Sequence, residues 1–221
     1  MHLRTLFIRG LLTGGALLAA PARGEILFTV DQAIPDNRET GLQDTRTVSG
    51  FAGVIGSIEV HLSIAAASAD LAYNGDFYVT LQHDAGFAVL LNRAGRSAST
   101  PLGYAQNGFD IVFALSAPDI HLYQNQSPSY NGAGALTGTW GVDGRAADPG
   151  DVLGTSPRAD MLANFLGADP NGTWTIFLAD LNPYGNARLV SWGLDIAPIP
   201  EPGPLLLLGL GAAPLLRRRR K

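Results

Sequence analysis

The chain has 221 residues, no cysteine, and 15 Lys and Arg against 19 Asp and Glu. A chain of this length can bury one hydrophobic core, and without cysteine no disulfide stabilises it. Residues 23–202 carry eight arginines against all 19 acidic groups, a net charge of about −11. This acidity argues against nucleic acid or anionic lipid as a partner, because both attract basic surfaces.

The first 22 residues have the pattern of a secretory signal peptide. Arg4 and Arg9 form a basic segment, residues 11–20 are apolar, and Ala20-Pro21-Ala22 offers small residues for cleavage. This order of segments is typical of exported proteins. We therefore expect a mature protein that begins near residue 23, with residues 23–47 as a lead-in segment before the folded domain.

The middle of the chain alternates apolar and polar residues with the period of β-strands. Asn, Asp, Gly and Pro clusters separate the alternating segments, a short helix is predicted near residues 159–166, and a long polar loop at 124–135. Many short strands with little helix predict an all-β, antiparallel sandwich. The predicted strands are 57–65, 75–82, 87–91, 110–115, 173–179 and 189–196.

The most specific pattern of the domain is FLGADPNGTWTIFLADLNPYGNARLVSWGLDI, which begins at Phe165. It resembles the P domain (Homo B domain) that follows the subtilisin-like catalytic domain of proprotein convertases. The resemblance covers residues 48–197 and implies a jelly-roll β-sandwich of about eight strands. We interpret the pattern as a folding signature, in which a tight turn precedes a strand and two tryptophans fill the core. The residues that carry it are Phe165, Asp169, Gly172, Trp174, Asp180 and Trp192.

Because P domains accompany proteases, a serine nucleophile has to be considered. Gly154-Thr155-Ser156 looks like the start of the subtilisin nucleophile motif. Such a serine needs a histidine base and a third group that orients the base. His61 is expected on the solvent side of a strand, His83 in a turn and His121 in a loop or at a strand start. No catalytic domain of the family's size is present, so we predict that the chain is not an enzyme.

Aspartates in or beside turns make calcium the one cofactor that the sequence suggests, since Ca²⁺ takes six to eight oxygen ligands. Asp76 and Asp180 are the leading candidates, because both lie at the ends of the best-matched strands. A solvated acidic face is the alternative, since the spacing matches neither an EF-hand loop nor a calcium-binding repeat. The other aspartates at such positions are Asp70, Asp143, Asp148, Asp151 and Asp169.

The segment 198–221 combines a rigid Pro-Glu-Pro step, an apolar run at residues 203–216 and a basic end. As a helix the run spans about 21 Å at ~1.5 Å per residue, less than the ~30 Å core of a bilayer. The residues that carry this pattern are Pro200, Glu201, Pro202, Arg217, Arg218, Arg219 and Arg220.

This segment resembles the PEP-CTERM sorting signal of Gram-negative bacteria. The resemblance implies transient anchoring in the inner membrane and removal of the tail by an exosortase-type enzyme. The protein would then pass to the cell surface or the exopolysaccharide matrix. A simple C-terminal tail anchor is the alternative.

Three functions are compatible with these patterns. The first is a non-catalytic secreted module that binds or spaces components of the cell surface or matrix. The second is an accessory P domain that acts with a separate subtilisin-like serine protease. The third is a carbohydrate-binding jelly roll, in which loop aromatics stack on sugars. The candidate aromatics are Tyr73, Tyr104, Tyr123, Tyr130 and Tyr184.

Overall fold

A computed structural model describes residues 23–67 and 71–200 of the chain. The predicted signal peptide, Asp70 and the sorting residues from Glu201 onward, including Arg217, Arg218, Arg219 and Arg220, lie outside the described residues. Pro200 is the last described residue. No helix within 23–67 or 71–200 is long and apolar enough to cross a membrane.

Two β-sheets form the described part of the chain, which confirms the predicted all-β sandwich. One sheet has six strands in the order β1-β10-β3-β6-β8-β7, and the other has four in the order β2-β9-β4-β5. Neighbouring strands in both sheets run antiparallel, except that β6 and β8 run parallel. The strands are β1 (Gly24–Ile34), β2 (Arg38–Val48), β3 (Val54–Ala66), β4 (Phe77–His83), β5 (Gly86–Asn92), β6 (Phe109–Phe113), β7 (Ser129–Tyr130), β8 (Leu136–Trp140), β9 (Gly172–Asp180) and β10 (Ala187–Ile199).

The sandwich begins earlier than the boundary at residue 48 that the resemblance implies. Most of the predicted lead-in segment, residues 23–47, lies in β1 and β2. β1 pairs with β10 at the edge of the six-stranded sheet, and β2 pairs with β9 at the edge of the four-stranded sheet. The described residues therefore hold ten strands rather than about eight, because each sheet gains one edge strand from this segment.

Short 3-10 helices occupy three connections: Asn74–Asp76, Ile120–Gln126 and Leu162–Phe165. The last is shorter than the helix predicted at 159–166, because the backbone N–H groups of Ala159 and Asp160 donate to Gly144 O. The predicted polar loop at 124–135 contains the end of the second helix and the two-residue strand β7.

Trp174 and Trp192 are fully buried between the sheets. The Trp174 ring stacks on His83 at 4.3 Å and packs against Phe165 at 5.0 Å. The Trp192 ring packs against Phe28 at 4.8 Å. Both indole N–H groups find acceptors, which buried tryptophans require. Trp174 donates to Pro170 O at 3.0 Å, and Trp192 donates to an oxygen of Asp44 at 2.6 Å.

Candidate functional site

A pocket of about 400 Å³ opens at one end of the sandwich, where three connections meet. These connections are the segment before β4, the segment before β6 and the turn between β9 and β10. We call this pocket the tyrosine pocket. Its lining residues are Tyr73, Asp76, Leu102, Gly103, Tyr104, Ala105, Asn182, Pro183 and Tyr184.

The tyrosine pocket brings together three of the five tyrosines that the sequence offers for stacking on sugars. Tyr184 is 82% exposed at its rim, whereas Tyr73 and Tyr104 are half-buried. The other two tyrosines do not line it. Tyr123 is fully buried and packs edge-on against Tyr104 at 4.6 Å, and Tyr130 is an exposed residue of β7.

Two glycines hold the walls of the pocket in backbone contact. A Cβ at Gly75 would lie 2.0 Å from Leu102 O and 2.7 Å from the Cα of Gly103. Gly103 itself has a φ of +71°, a conformation that glycine adopts without strain. The N–H of Gly75 donates to Tyr104 O at 2.8 Å. This close approach fixes Tyr104 relative to the segment that carries Tyr73.

Asp76 lines the pocket and Asp180 lies next to it, because β4 and β9 are neighbours in the four-stranded sheet. Asp180 pairs with Phe77, the residue after Asp76. Asp76 and Asp180 are only 5% and 3% exposed. Asn182 Nδ2 donates to Asp76 Oδ1 at 2.6 Å, so an amide and a carboxylate form the polar floor of the pocket.

Burial raises the pKa of both carboxyl groups. For Asp76 the hydrogen bond from Asn182 and the charge of Arg93 oppose this rise. For Asp180 burial acts together with the negative charge of Asp76 and raises the pKa to about 7. The ion pairs of the described residues all involve other carboxylates. Within the described residues, the carboxyl group on the floor of the pocket therefore has no directly bonded cation.

Arg93 is the cationic side chain that affects this pair from a distance. Its guanidinium is buried and donates to Gly75 O at 3.1 Å and to Pro101 O at 3.3 Å. Burial lowers its pKa, and the two aspartates act against that change. Arg93 thus holds the backbone of the pocket walls instead of neutralising either carboxylate by direct contact.

The structure brings together the two leading calcium candidates, Asp76 and Asp180. Across residues 23–67 and 71–200, no group of three or more His, Cys, Asp or Glu side chains is placed to hold a metal ion. Calcium commonly takes six to eight oxygens, so two carboxylates would need further ligands. Calcium binding stays a prediction.

The titration of Asp180 gives a prediction for stability against pH. The ordinary pKa of an aspartate is 3.8, and that of Asp180 in the folded state is about 7. Between these pH values the folded state therefore binds more protons than the unfolded state. Stability contributed by this proton is therefore lost as the pH rises from about 4 through 7. We expect Asp180→Asn to be more stable than the wild type at pH 8, by roughly 1–3 kcal/mol, and much less so at pH 4. Urea unfolding at both pH values checks this, and an equal difference at the two would contradict it.

The histidines and Ser156 lie in separate environments. The Ser156 hydroxyl accepts from Leu153 N at 3.0 Å. His61 is half-buried in the middle of β3. His83 is the last residue of β4 rather than part of a turn, and it is buried against Trp174. His121 is the second residue of the 3-10 helix Ile120–Gln126 and is fully buried. Within the described part of the chain, no hydrogen bond joins Ser156 to a histidine side chain.

No family model and no curated protein matches the chain. Among solved structures it is similar to a crystal structure of the Aeromonas sobria serine protease (ASP) in complex with the chaperone ORF2, at 14% identity and a TM-score of 0.39. The match covers 80% of this chain and 27% of the chain in that structure, so this chain spans about a quarter of that chain's length. A similarity of this strength carries no argument about activity or partners, and the resemblances to the P domain and to the PEP-CTERM signal stay predictions.

Proposed function

We propose that this chain is an exported, non-catalytic β-sandwich module that binds carbohydrate at the cell surface or in the exopolysaccharide matrix. The observation that carries the binding proposal is the tyrosine pocket, in which three tyrosines surround a floor of Asp76 and Asn182. Pockets of about 300–1,000 Å³ with apolar walls and a few converging polar groups are typical of small-ligand sites.

A sugar matches this arrangement because its ring has an apolar C–H face and a rim of hydroxyl groups. The apolar rings of Tyr73, Tyr104 and Tyr184 can pack against the C–H face of the sugar. Asp76 accepts hydrogen bonds from hydroxyls, and Asn182 both donates and accepts them. A second carboxyl group beside Asp76 would compete with it for protons and charge, so neutral or amine-bearing sugars fit the pocket better than uronic acids.

Binding is tested by affinity electrophoresis of residues 23–200 in gels that contain exopolysaccharide from the native cells. The wild type is expected to be retarded. Tyr184→Ala, which removes the 82% exposed rim tyrosine, is expected to weaken binding roughly two- to tenfold, as loss of one aromatic contact does.

Tyr130→Ala is the matched control, because Tyr130 is exposed on β7 and does not line the pocket. It should bind like the wild type. Equal binding by the wild type and Tyr184→Ala would exclude the tyrosine pocket as the site. If neither the wild type nor Tyr184→Ala is retarded, the result contradicts carbohydrate binding altogether.

The sorting part of the proposal rests on Pro200, Glu201 and Pro202, the apolar run and Arg217–Arg220. Mass spectrometry of the protein from membrane, matrix and medium fractions tests it. We expect a chain that ends near residues 200–202 in the matrix or medium. An intact C-terminus in the inner membrane would contradict sorting and leave a tail-anchored module. Co-purification of a subtilisin-like protease with the matrix form would favour the accessory-domain function instead.

A further inference from the structure

The outer face of the four-stranded sheet carries two hollows that share one aromatic residue. One is about 670 Å³ and the other about 360 Å³, and Phe177 of β9 lines both. Alternate residues of β9 point to this face, so the strand forms a path along the hollows. The path runs from Thr173 and Thr175 through Phe177 to Ala179, followed by Leu181 just after the strand.

Phe177 is held on this face by a local distortion of β2. The pairing of β2 with β9 is irregular between Arg38 and Leu42, and Gly41 there has a φ of +51°. A Cβ at Gly41 would lie 2.8 Å from two carbons of the Phe177 ring. The ring therefore rests on a position that only glycine fills without displacing it. This close contact gives the hollows a preformed aromatic surface.

The polar groups beside Phe177 are uncharged and arranged in rows across the strands. Gln43 of β2 and Thr80 of β4 flank Phe177 in the pairing, while Thr45 and Gln82 flank Thr175. Thr45 and Thr175 are joined by a hydroxyl hydrogen bond of 3.0 Å. The exposed Gln82 side chain makes no hydrogen bond to the described residues. Amides and hydroxyls of this kind are donors and acceptors suited to sugar hydroxyls.

The charged residues at the wider hollow balance one another. Two arginines, Arg38 and Arg93, and two acidic residues, Glu39 and Asp148, are among its lining residues. An uncharged occupant fits this balance, whereas a strongly charged polymer would meet one repelling pair. The narrower hollow adds the carboxylate of Asp84, which disfavours an acidic polymer. The aromatic surface, the amide and hydroxyl rows and the charge balance of the wider hollow favour an uncharged polysaccharide over a peptide strand.

The wider hollow and the tyrosine pocket are lined by consecutive residues just after β9. Leu181 lines the hollow and the next residue, Asn182, lines the pocket. Arg93 lines the hollow as well and donates to Gly75 O in the pocket wall. From Thr173 to Ala179 the path is about 20 Å at ~3.3 Å per residue, which is longer than a disaccharide.

We propose that the tyrosine pocket and the two hollows form one continuous site, which binds an internal stretch of an uncharged polysaccharide chain. This inference rests on carbohydrate binding by the tyrosine pocket and adds that the ligand is a polymer bound along β9. Phe177 supplies the second stacking surface. Affinity should therefore grow with chain length beyond what the tyrosine pocket alone covers.

Isothermal titration calorimetry tests this with fragments of the native exopolysaccharide, separated by length after partial hydrolysis. The wild type is expected to bind a hexasaccharide at least tenfold more tightly than a disaccharide. Phe177→Ala should reduce hexasaccharide affinity to the disaccharide level and leave disaccharide affinity unchanged. Gln82→Ala, at an exposed position, gives a second and smaller loss for the hexasaccharide and stays informative if Phe177→Ala fails to fold.

Tyr130→Ala again serves as the aromatic control and should change neither affinity. Equal binding of the two fragments by the wild type would overturn the continuous site while carbohydrate binding by the tyrosine pocket stands. Length-dependent binding that both variants retain in full would also overturn it. Binding of neither fragment would contradict the carbohydrate function itself and this inference with it.

Discussion

Replacing Arg145 by methionine is expected to lower the free energy of unfolding by about 3–5 kcal/mol, because two carboxylates beside this buried position lose their cationic partner. Arg145 is 2% exposed. Its guanidinium donates to Asp143 Oδ1 at 3.0 Å, to Asp119 Oδ2 at 2.7 Å and to Gly154 O at 2.8 Å. One side chain thus connects three separate segments of the chain.

The surroundings of Arg145 explain why the loss is large. Burial alone would raise the pKa of Asp119, but the hydrogen bond and charge of Arg145, with the N–H of His121, outweigh it and lower the pKa. The other oxygen of Asp143 faces His121 Nδ1 at 2.8 Å, and His121 Nε2 faces Arg96 O at 3.0 Å. Methionine fills the space of the arginine stem but supplies no donor.

Urea unfolding at pH 7 measures this effect. Arg188→Met is the matched control, because Arg188 pairs with Asp31 and both side chains are substantially exposed. Exposed pairs contribute about 1 kcal/mol or less, so this variant should unfold close to the wild type. Arg145→Met would contradict the account if it lost no more stability than Arg188→Met.

Trp174→Ala is expected to cost about 3–5 kcal/mol, the usual loss for a fully buried aromatic side chain. The substitution removes the ring that stacks on His83 and packs against Phe165, and it leaves a cavity between β9 and its neighbours. It also removes the indole N–H that donates to Pro170 O in the turn before β9. Trp174→Phe keeps a ring and should lose less.

Thermal and urea unfolding of both tryptophan variants check this prediction. Phe87→Ala is the control, because Phe87 is an aromatic residue that is 37% exposed on β5. Phe87→Ala should lower the free energy of unfolding by about 1 kcal/mol, since folding removes less apolar area from water at Phe87 than at Trp174. A Trp174→Ala variant no less stable than Phe87→Ala would contradict the assignment of Trp174 to the core.

The sequence predicts the central strands well because apolar residues, which become buried, alternate with other residues along them. In β3 every second residue from Ile58 to Ile64 is apolar and buried, and in β9 the same holds from Trp174 to Leu178. β2, RETGLQDTRTV, offers only two large apolar residues because it is an edge strand. Its place in the sheet follows from pairing with β9, which a local pattern does not encode. β1 does alternate at Ile26, Phe28 and Val30, a signal that identifies it as a strand.

The candidate site depends on contacts between segments that are distant in the chain. Tyr73 and Tyr184 meet because the order β2-β9-β4-β5 places the start of β4 beside the end of β9, and the backbone contact at Gly75 adds Tyr104. The same order joins Asp76 to Asp180, which the sequence selects separately as strand-end residues. Phe177 is an outward-facing residue of an alternating strand. Its role depends on the hollow that Gly41 and β2 create around it, which the sequence does not reveal.

The most direct test of the central claim is a titration of ¹⁵N-labelled residues 23–200 with exopolysaccharide fragments, followed by two-dimensional NMR. The account predicts that backbone amide shifts change first at Tyr73, Asp76, Tyr104, Asn182 and Tyr184, with longer fragments adding changes along β9. Shift changes confined to the outer face of the six-stranded sheet, or none at saturating ligand, would contradict a carbohydrate site in the tyrosine pocket.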